Sequence, residues 1–260
     1  MGHGQVQLVD ALEKSCNIYF YTAGRDLGVE KLTKWFDAFG LGRDSGFELP
    51  EQDGAIPDLK GAGDADVRSS EAIFLGIGQG PVAVTPLQML MAMSAIANDG
   101  MLMKPIVISK LVDRNGAVVV HNDPTPVRQV ISPAAAREMV KALKAVVSTN
   151  GTGLKASMPY YTVAGKTGTA QKPVPGGYSS DKYFSSFIGF FPADDPEICI
   201  SVALDSPDKH KGYYGADVAI PVFKNIAERA ARYLAIPMEK QEKQDAPRET
   251  LAMTGPRTLN

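Results

Sequence analysis

The dominant periodicity of this chain changes near residue 160, and that change limits the folds open to it. Before it, apolar residues recur mainly at helical spacing, apart from one short hairpin pattern. After it come three stretches rich in β-branched and aromatic residues, Tyr160 to Gln171, Tyr183 to Phe191 and Glu197 to Leu204, separated by turn-forming clusters. An amphipathic segment from about Ala216 to Leu234 follows Gly215 and closes the pattern. A helical block, three successive strands and a final helix predict an α+β fold, with an antiparallel sheet packed against helices and an all-helical subregion in the first part.

Within the helical block, Val6, Leu8, Val9 and Leu12 place apolar groups on one side of a helix that runs into Ser15. A second helix, roughly Val29 to Phe39, carries Leu32, Trp35, Phe36 and Phe39 on one face and stops at Gly40. Gly42 to Gly63 is rich in Gly, Pro and Asp and reads as a long loop. Thr85-Pro86-Leu87-Gln88 has the residues of a capped helix start, with Gln88 completing a capping box. The run from Leu87 to Ile96 is apolar nearly all round, which places its helix deep in the core. Ile106 to Val120 predicts two short strands about Asn115-Gly116, and Ser132-Pro133 opens a helix to about Val147 with Met139, Leu143, Val146 and Val147 on its buried side. Residues 239–260 are polar, lack periodicity and are expected to be a disordered tail, leaving residues 1–238 as the domain.

Composition removes several function classes. A net charge of -2 gives no electrostatic case for nucleic acid, and no basic cluster suggests a membrane-surface patch. Cys16 and Cys199 are too few for a disulfide framework, and His3, His121 and His210 lack ligand-type neighbours, so neither a metal nor another cofactor is called for. No G-x-S-x-G elbow supports a Ser-His-Asp hydrolase.

Two triplets carry chemistry. In Lys166-Thr167-Gly168-Thr169, strand alternation turns Lys166 and Gly168 one way and Thr167 and Thr169 the other. Such a strand aims a cation along a cleft wall, and its glycine admits a substrate backbone that pairs with the edge. The plain alternative is an ordinary strand end. Ser15-Cys16-Asn17 is a helix cap on the plain reading, and on the functional one Ser15 is a proton-relay hydroxyl and Asn17 a substrate-binding amide. The pair, in this order, matches the S-D-N and K-T-G elements that follow S-x-x-K in penicillin-binding proteins and class A β-lactamases, except that Cys16 stands where S-D-N has aspartate.

On these residues the chain resembles a class B penicillin-binding protein of the division type. The resemblance extends through Phe39-Gly40-Leu41-Gly42, Gly76-Ile77-Gly78-Gln79-Gly80, Ala164 to Gln171, Phe187-Ile188-Gly189-Phe190 and Tyr213-Tyr214-Gly215, from Gly2 to about Pro237. It implies a penicillin-binding, serine β-lactamase-like fold and a peptidoglycan D,D-transpeptidase that joins stem peptides ending in D-Ala-D-Ala and is acylated by β-lactams. Ser15, Asn17 and Lys166 would belong to the catalytic relay. Thr167, Gly168 and Thr169 would bind substrate, with the Thr169 N–H as an oxyanion donor. The resemblance also implies a periplasmic domain held by an N-terminal membrane helix outside this chain, working beside a glycan polymerase and division proteins.

The family's acylated serine is expected upstream of Ser15, where these residues hold no S-x-x-K, so the chain is expected to be a C-terminal portion, inactive alone. Ser179-Ser180-Asp181-Lys182 and Ser206-Pro207-Asp208-Lys209 fit the pattern formally but lie after Lys-Thr-Gly in turn and strand contexts. A non-catalytic remnant acting as a binding or structural module is the other reading.

Overall fold

The computed structural model describes residues 2–57 and 65–239. Helix α1, Leu8–Glu13, is followed by α2, Asn17–Ala38, two helical runs joined at Gly28, whose φ of 77° and ψ of 161° break the helix. The second run matches the helix expected from Val29. The first, from Asn17, was not anticipated. Val29, Leu32 and Phe36 pack on α3, Ala65–Leu75. Trp35, expected on that face, is 46% exposed, because it sits about 100° round the helix from Phe36 and so flanks the stripe. Helices α2 and α3 approach closely at two glycines. A Cβ on Gly24 would lie 2.4 Å from the Ala72 carbonyl oxygen, and one on Gly76 2.3 Å from that of Phe20. This contact sets the loop after α3 against the start of α2.

Helix α4, Pro86–Ala97, has the expected capping box: Thr85 Oγ1 accepts from the Gln88 N–H and Gln88 Oε1 from the Thr85 N–H, both at 3.1 Å. Gln88 is buried, and its Nε2 also donates to the carbonyls of Arg43 and Asp53 at 2.7 and 2.8 Å. One side chain thus caps a helix and pins the long loop, of which residues 58–63 lie outside those described. Strands β1, Met101–Met103, β2, Lys110–Val112, β3, Val118–His121, and β4, Pro126–Gln129, form two small ladders, β1 with β4 and β2 with β3. The β2–β3 pair is the expected hairpin. Helix α5, Pro133–Val146, is capped by Ser132 and buries Ala136, Ala142, Leu143 and Val146.

The main sheet is β5, Ala164–Val174, β6, Gly177–Phe191, and β7, Ile198–Asp205, antiparallel in the order β5-β6-β7, so β5 is an edge. Helix α6, Gly215–Tyr233, covers one face, where Phe187, Phe191, Ile200 and Val202 meet Ile220 and Phe223. Helices α4 and α5 cover the other, where Ile188, Phe190 and Ala164 meet Met93 and Leu143. This is the α+β architecture expected from the sequence. The tail from residue 240 lies outside the described residues.

Candidate active site

Ser15 follows α1 directly. The Cys16 N–H donates to the Ala11 carbonyl at 2.8 Å and the Ser15 N–H to that of Leu12 at 3.2 Å, the double bond of a Schellman motif. Ser15 therefore occupies the left-handed position, with φ 50°, that glycine normally fills. A serine there is a strained choice that its surroundings must hold. Cys16 is the N-cap of α2 and is buried at 5% exposure, with no side-chain capping bond. Ser15 and Asn17 line the cleft, and the capping bond that the plain reading required of them is not made.

Lys166 reaches this serine from β5. Its Nζ donates to Ser15 Oγ at 2.9 Å and to the Thr167 carbonyl at 3.0 Å, with Thr167 Oγ1 at 3.4 Å. Burial pulls its pKa down from the usual 10.5 to about 8. Register places Lys166 opposite Ile188 and Gly168 opposite Ser186, on the α4–α5 face, while Thr167 opposite Phe187 and Thr169 opposite Ser185 face α6. The alternation expected from the sequence holds.

Gly168 has a local packing reason. A Cβ there would lie 2.5 Å from Ser186 Oγ on the neighbouring strand. The threonines are also engaged. Thr169 Oγ1 accepts from the Gly215 N–H at 3.0 Å, which anchors the start of α6 and leaves its O–H free to donate. Thr167 Oγ1 lies 3.2 Å from Thr152 Oγ1.

These groups surround a cleft of about 410 Å³ whose further wall is the Gly76–Gln79 loop with Phe20 and Leu12. The Gly80 N–H donates to the Tyr178 hydroxyl at 3.1 Å, tying this loop to the β5–β6 hairpin. Tyr183, Tyr213 and Tyr214 stack in sequence with ring centroids 4.3 and 4.4 Å apart, beside the Thr169–Gly215 bond. Reading the residues alone gave no role to Thr152, Tyr178 or this stack. Their signals were glycines and aromatics in turn-rich segments, without a spacing that names chemistry.

The two formal S-x-x-K stretches are built otherwise. Ser179 and Lys182 lie three apart on β6, where such positions face opposite ways, and Ser179 Oγ accepts from the Asp181 and Lys182 N–H groups. Ser206 donates to Asp205, while Lys209 is held by Asp181 and the Ser180 carbonyl.

Residues 1–228 match the penicillin-binding protein transpeptidase domain family. Stage V sporulation protein D of Bacillus subtilis is 36% identical over 243 residues, 93% of this chain and 36% of the relative. Peptidoglycan D,D-transpeptidase MrdA of Acinetobacter baumannii is 33% identical over 237 residues, 85% of this chain and 34% of the relative. Among solved structures, penicillin-binding protein 3 of Mycobacterium tuberculosis complexed with aztreonam superposes with a TM-score of 0.78 at 33% identity, covering 89% of this chain and 52% of that one. The chain thus spans about a third of the length of the curated relatives it matches. Among the described residues no helix is long and apolar enough to cross a membrane.

Proposed function

The chain belongs to the transpeptidase-domain family of the class B penicillin-binding proteins, and from that membership we propose that it forms two walls of a peptidoglycan D,D-transpeptidase site. The observation that carries this is one hydrogen bond. Ser15 and Lys166, 151 positions apart, meet at 2.9 Å in the cleft that also holds Asn17 and the Thr167–Thr169 edge.

In this reading a seryl hydroxyl from an S-x-x-K segment, outside these residues, attacks the penultimate D-alanine carbonyl of a stem peptide. The amide C–N bond breaks and the last D-alanine leaves. The attacking hydroxyl's proton goes to the lysine of its own segment, and the leaving nitrogen takes a proton through the Ser15 hydroxyl from Lys166, which that lysine recharges. With its pKa near 8, Lys166 holds that proton at neutral pH and gives it up readily. The amine of a second stem peptide then attacks the seryl ester, forms the cross-link and frees the serine. Asn17 binds the substrate amide, and the hydroxyls of Thr167 and Thr169 donate to its terminal carboxylate. The Thr169 N–H and that of the acylated serine stabilise the oxyanion. A β-lactam acylates the same serine.

An adjoining apolar hollow of about 660 Å³ supports the arrangement. It is lined by Leu75, Val82, Met89, Phe184 and Ile188, and it shares Gly76, Gly78, Gln79 and Ala170 with the cleft. A helix seated there would bring a serine to the Ser15–Lys166 pair. The role is septal cell-wall synthesis on the periplasmic side of the membrane, anchored by a helix outside these residues and beside a glycan polymerase. A second reading is a binding module without acyl transfer.

The test is intact-mass analysis after incubation with excess penicillin. The chain alone is expected to gain no adduct. Joined behind a relative's S-x-x-K segment, it is expected to gain one, lost in Lys166→Ala. A joined protein that folds and stays unmodified would favour the binding module. An adduct on Ser179 or Ser206 of the chain alone would overturn the assignment of the nucleophile.

A further inference from the structure

The Ser15 conformation needs something to hold it. A left-handed serine at the end of a six-residue helix is disfavoured twice, by its backbone and by the shortness of the helix. The restraint comes from a segment far along the chain. After α5, residues 148–152 turn back across the end of α1. The Ser148 hydroxyl donates to Glu13 Oε1 at 2.8 Å, and the Thr152 N–H donates to the Glu13 carbonyl at 3.1 Å. Glu13 is the last residue of α1, two before Ser15. The same Thr152 places its hydroxyl 3.2 Å from that of Thr167, the residue next to Lys166.

One short segment therefore grips both sides of the Ser15–Lys166 hydrogen bond. Its path is itself constrained. The Gly153 N–H donates to the Val146 carbonyl at 2.8 Å, and a Cβ on Gly151 would lie 2.0 Å from that oxygen, so the turn has little freedom to relax.

We propose that Ser148 and Thr152 are positioning residues, clamping the end of α1 to β5 so that the Ser15 hydroxyl stays against Lys166. They touch neither Lys166 nor Ser15 and act through Glu13 and Thr167. The proposal rests on the proposed role of that pair, but its test reads the lysine and not acylation, so the two can fail separately.

The probe is competitive acetylation of the chain with acetic anhydride across pH, read at the Lys166 peptide by mass spectrometry. Among the described residues Lys166 has no ion pair, and burial alone lowers its midpoint. Glu13, the acid at the end of α1, is held by Ser148. Loss of the clamp lets water in and moves the Lys166 midpoint up. In Thr152→Val a rise of about one pH unit would cut acetylation at pH 8 roughly five-fold. Lys224 on α6 serves as the internal reference. Thr152→Ser, which keeps the hydroxyl, should follow the native profile, and Ser148→Ala should shift it by less than Thr152→Val.

An unshifted Lys166 in folded Thr152→Val would overturn the proposal, as would an equal shift in Thr152→Ser. If Thr152→Val does not fold, Ser148→Ala decides alone, a shifted midpoint supporting the clamp and a native one ending it.

Discussion

The two halves that meet at the cleft are built to different standards. The sheet side buries Phe187, Phe190 and Phe191 completely, and Gly153, Gly165 and Gly189 leave the space that the Phe187 ring fills. The helical side leaves Leu8 and Val9 more than two-fifths exposed and Ile18 71% exposed, on the two helices that flank Ser15. Lys166 thus rides on a densely packed strand, while Ser15 sits at a strained helix end. The hydrogen bond between them depends on a fixed partner and a held one. Precision on one side lets the other be positioned by a few long-range contacts.

The comparison breaks most visibly at Phe187. Its ring packs edge-on against Phe223 with centroids 4.7 Å apart, and it stands opposite Thr167 in the register. Phe187→Ala should cost about 3–5 kcal/mol, the usual range for emptying an aromatic site walled by backbone that collapses poorly. Urea denaturation followed by circular dichroism measures it, and a loss below about 1 kcal/mol would show that the sheet is not the rigid partner.

How much of this was legible follows the same division. Thr85, Ser132 and the alternation of Lys166 with Thr167 were readable because a cap or a strand writes its geometry within four residues. The end of α1 near Ser15 was expected, but the left-handed turn there was not, since its residue is a serine where the rule looks for glycine. The helix beginning at Asn17 was hidden for a related reason, because Ile18 faces solvent and blurs the stripe. Strands β1 and β4 have three and four residues, too few to set a period. The Thr152–Thr167 and Glu13–Ser148 contacts join distant segments, and no local rule reports them.

Lys166 sharpens the comparison by giving the sheet side a measurable cost. Its pKa falls from 10.5 to about 8 on folding, so the unfolded chain binds the proton more tightly. Below pH 8 both states are protonated and the full cost of burying the charge is present. Between pH 8 and 10.5 the folded lysine is neutral and the unfolded one is not, so stability from this group rises with pH, and above 10.5 the cost is gone. Lys166→Met should therefore stabilise the chain at pH 7, by on the order of 2 kcal/mol after discount for its partial exposure, with the gain shrinking towards pH 10.5. Denaturation of both proteins at pH 7 and pH 10.5 checks this. An equal difference at the two values would mean that the gain comes from packing and not from charge.

The smallest effect belongs to the helical side. Ile18 opens α2 one residue after Asn17, with most of its side chain in water. Removing an apolar group that is not buried returns little transfer free energy, so Ile18→Ser should change stability by less than about 0.5 kcal/mol. The same substitution removes exposed apolar surface and should lower self-association, read by light scattering at matched concentration. If Ile18→Ser instead costs several kcal/mol, that surface is covered in solution by another copy of the chain. The contrast between a packed half and an open half would then describe one subunit of an assembly, and the melting temperature of the native chain would rise with its concentration.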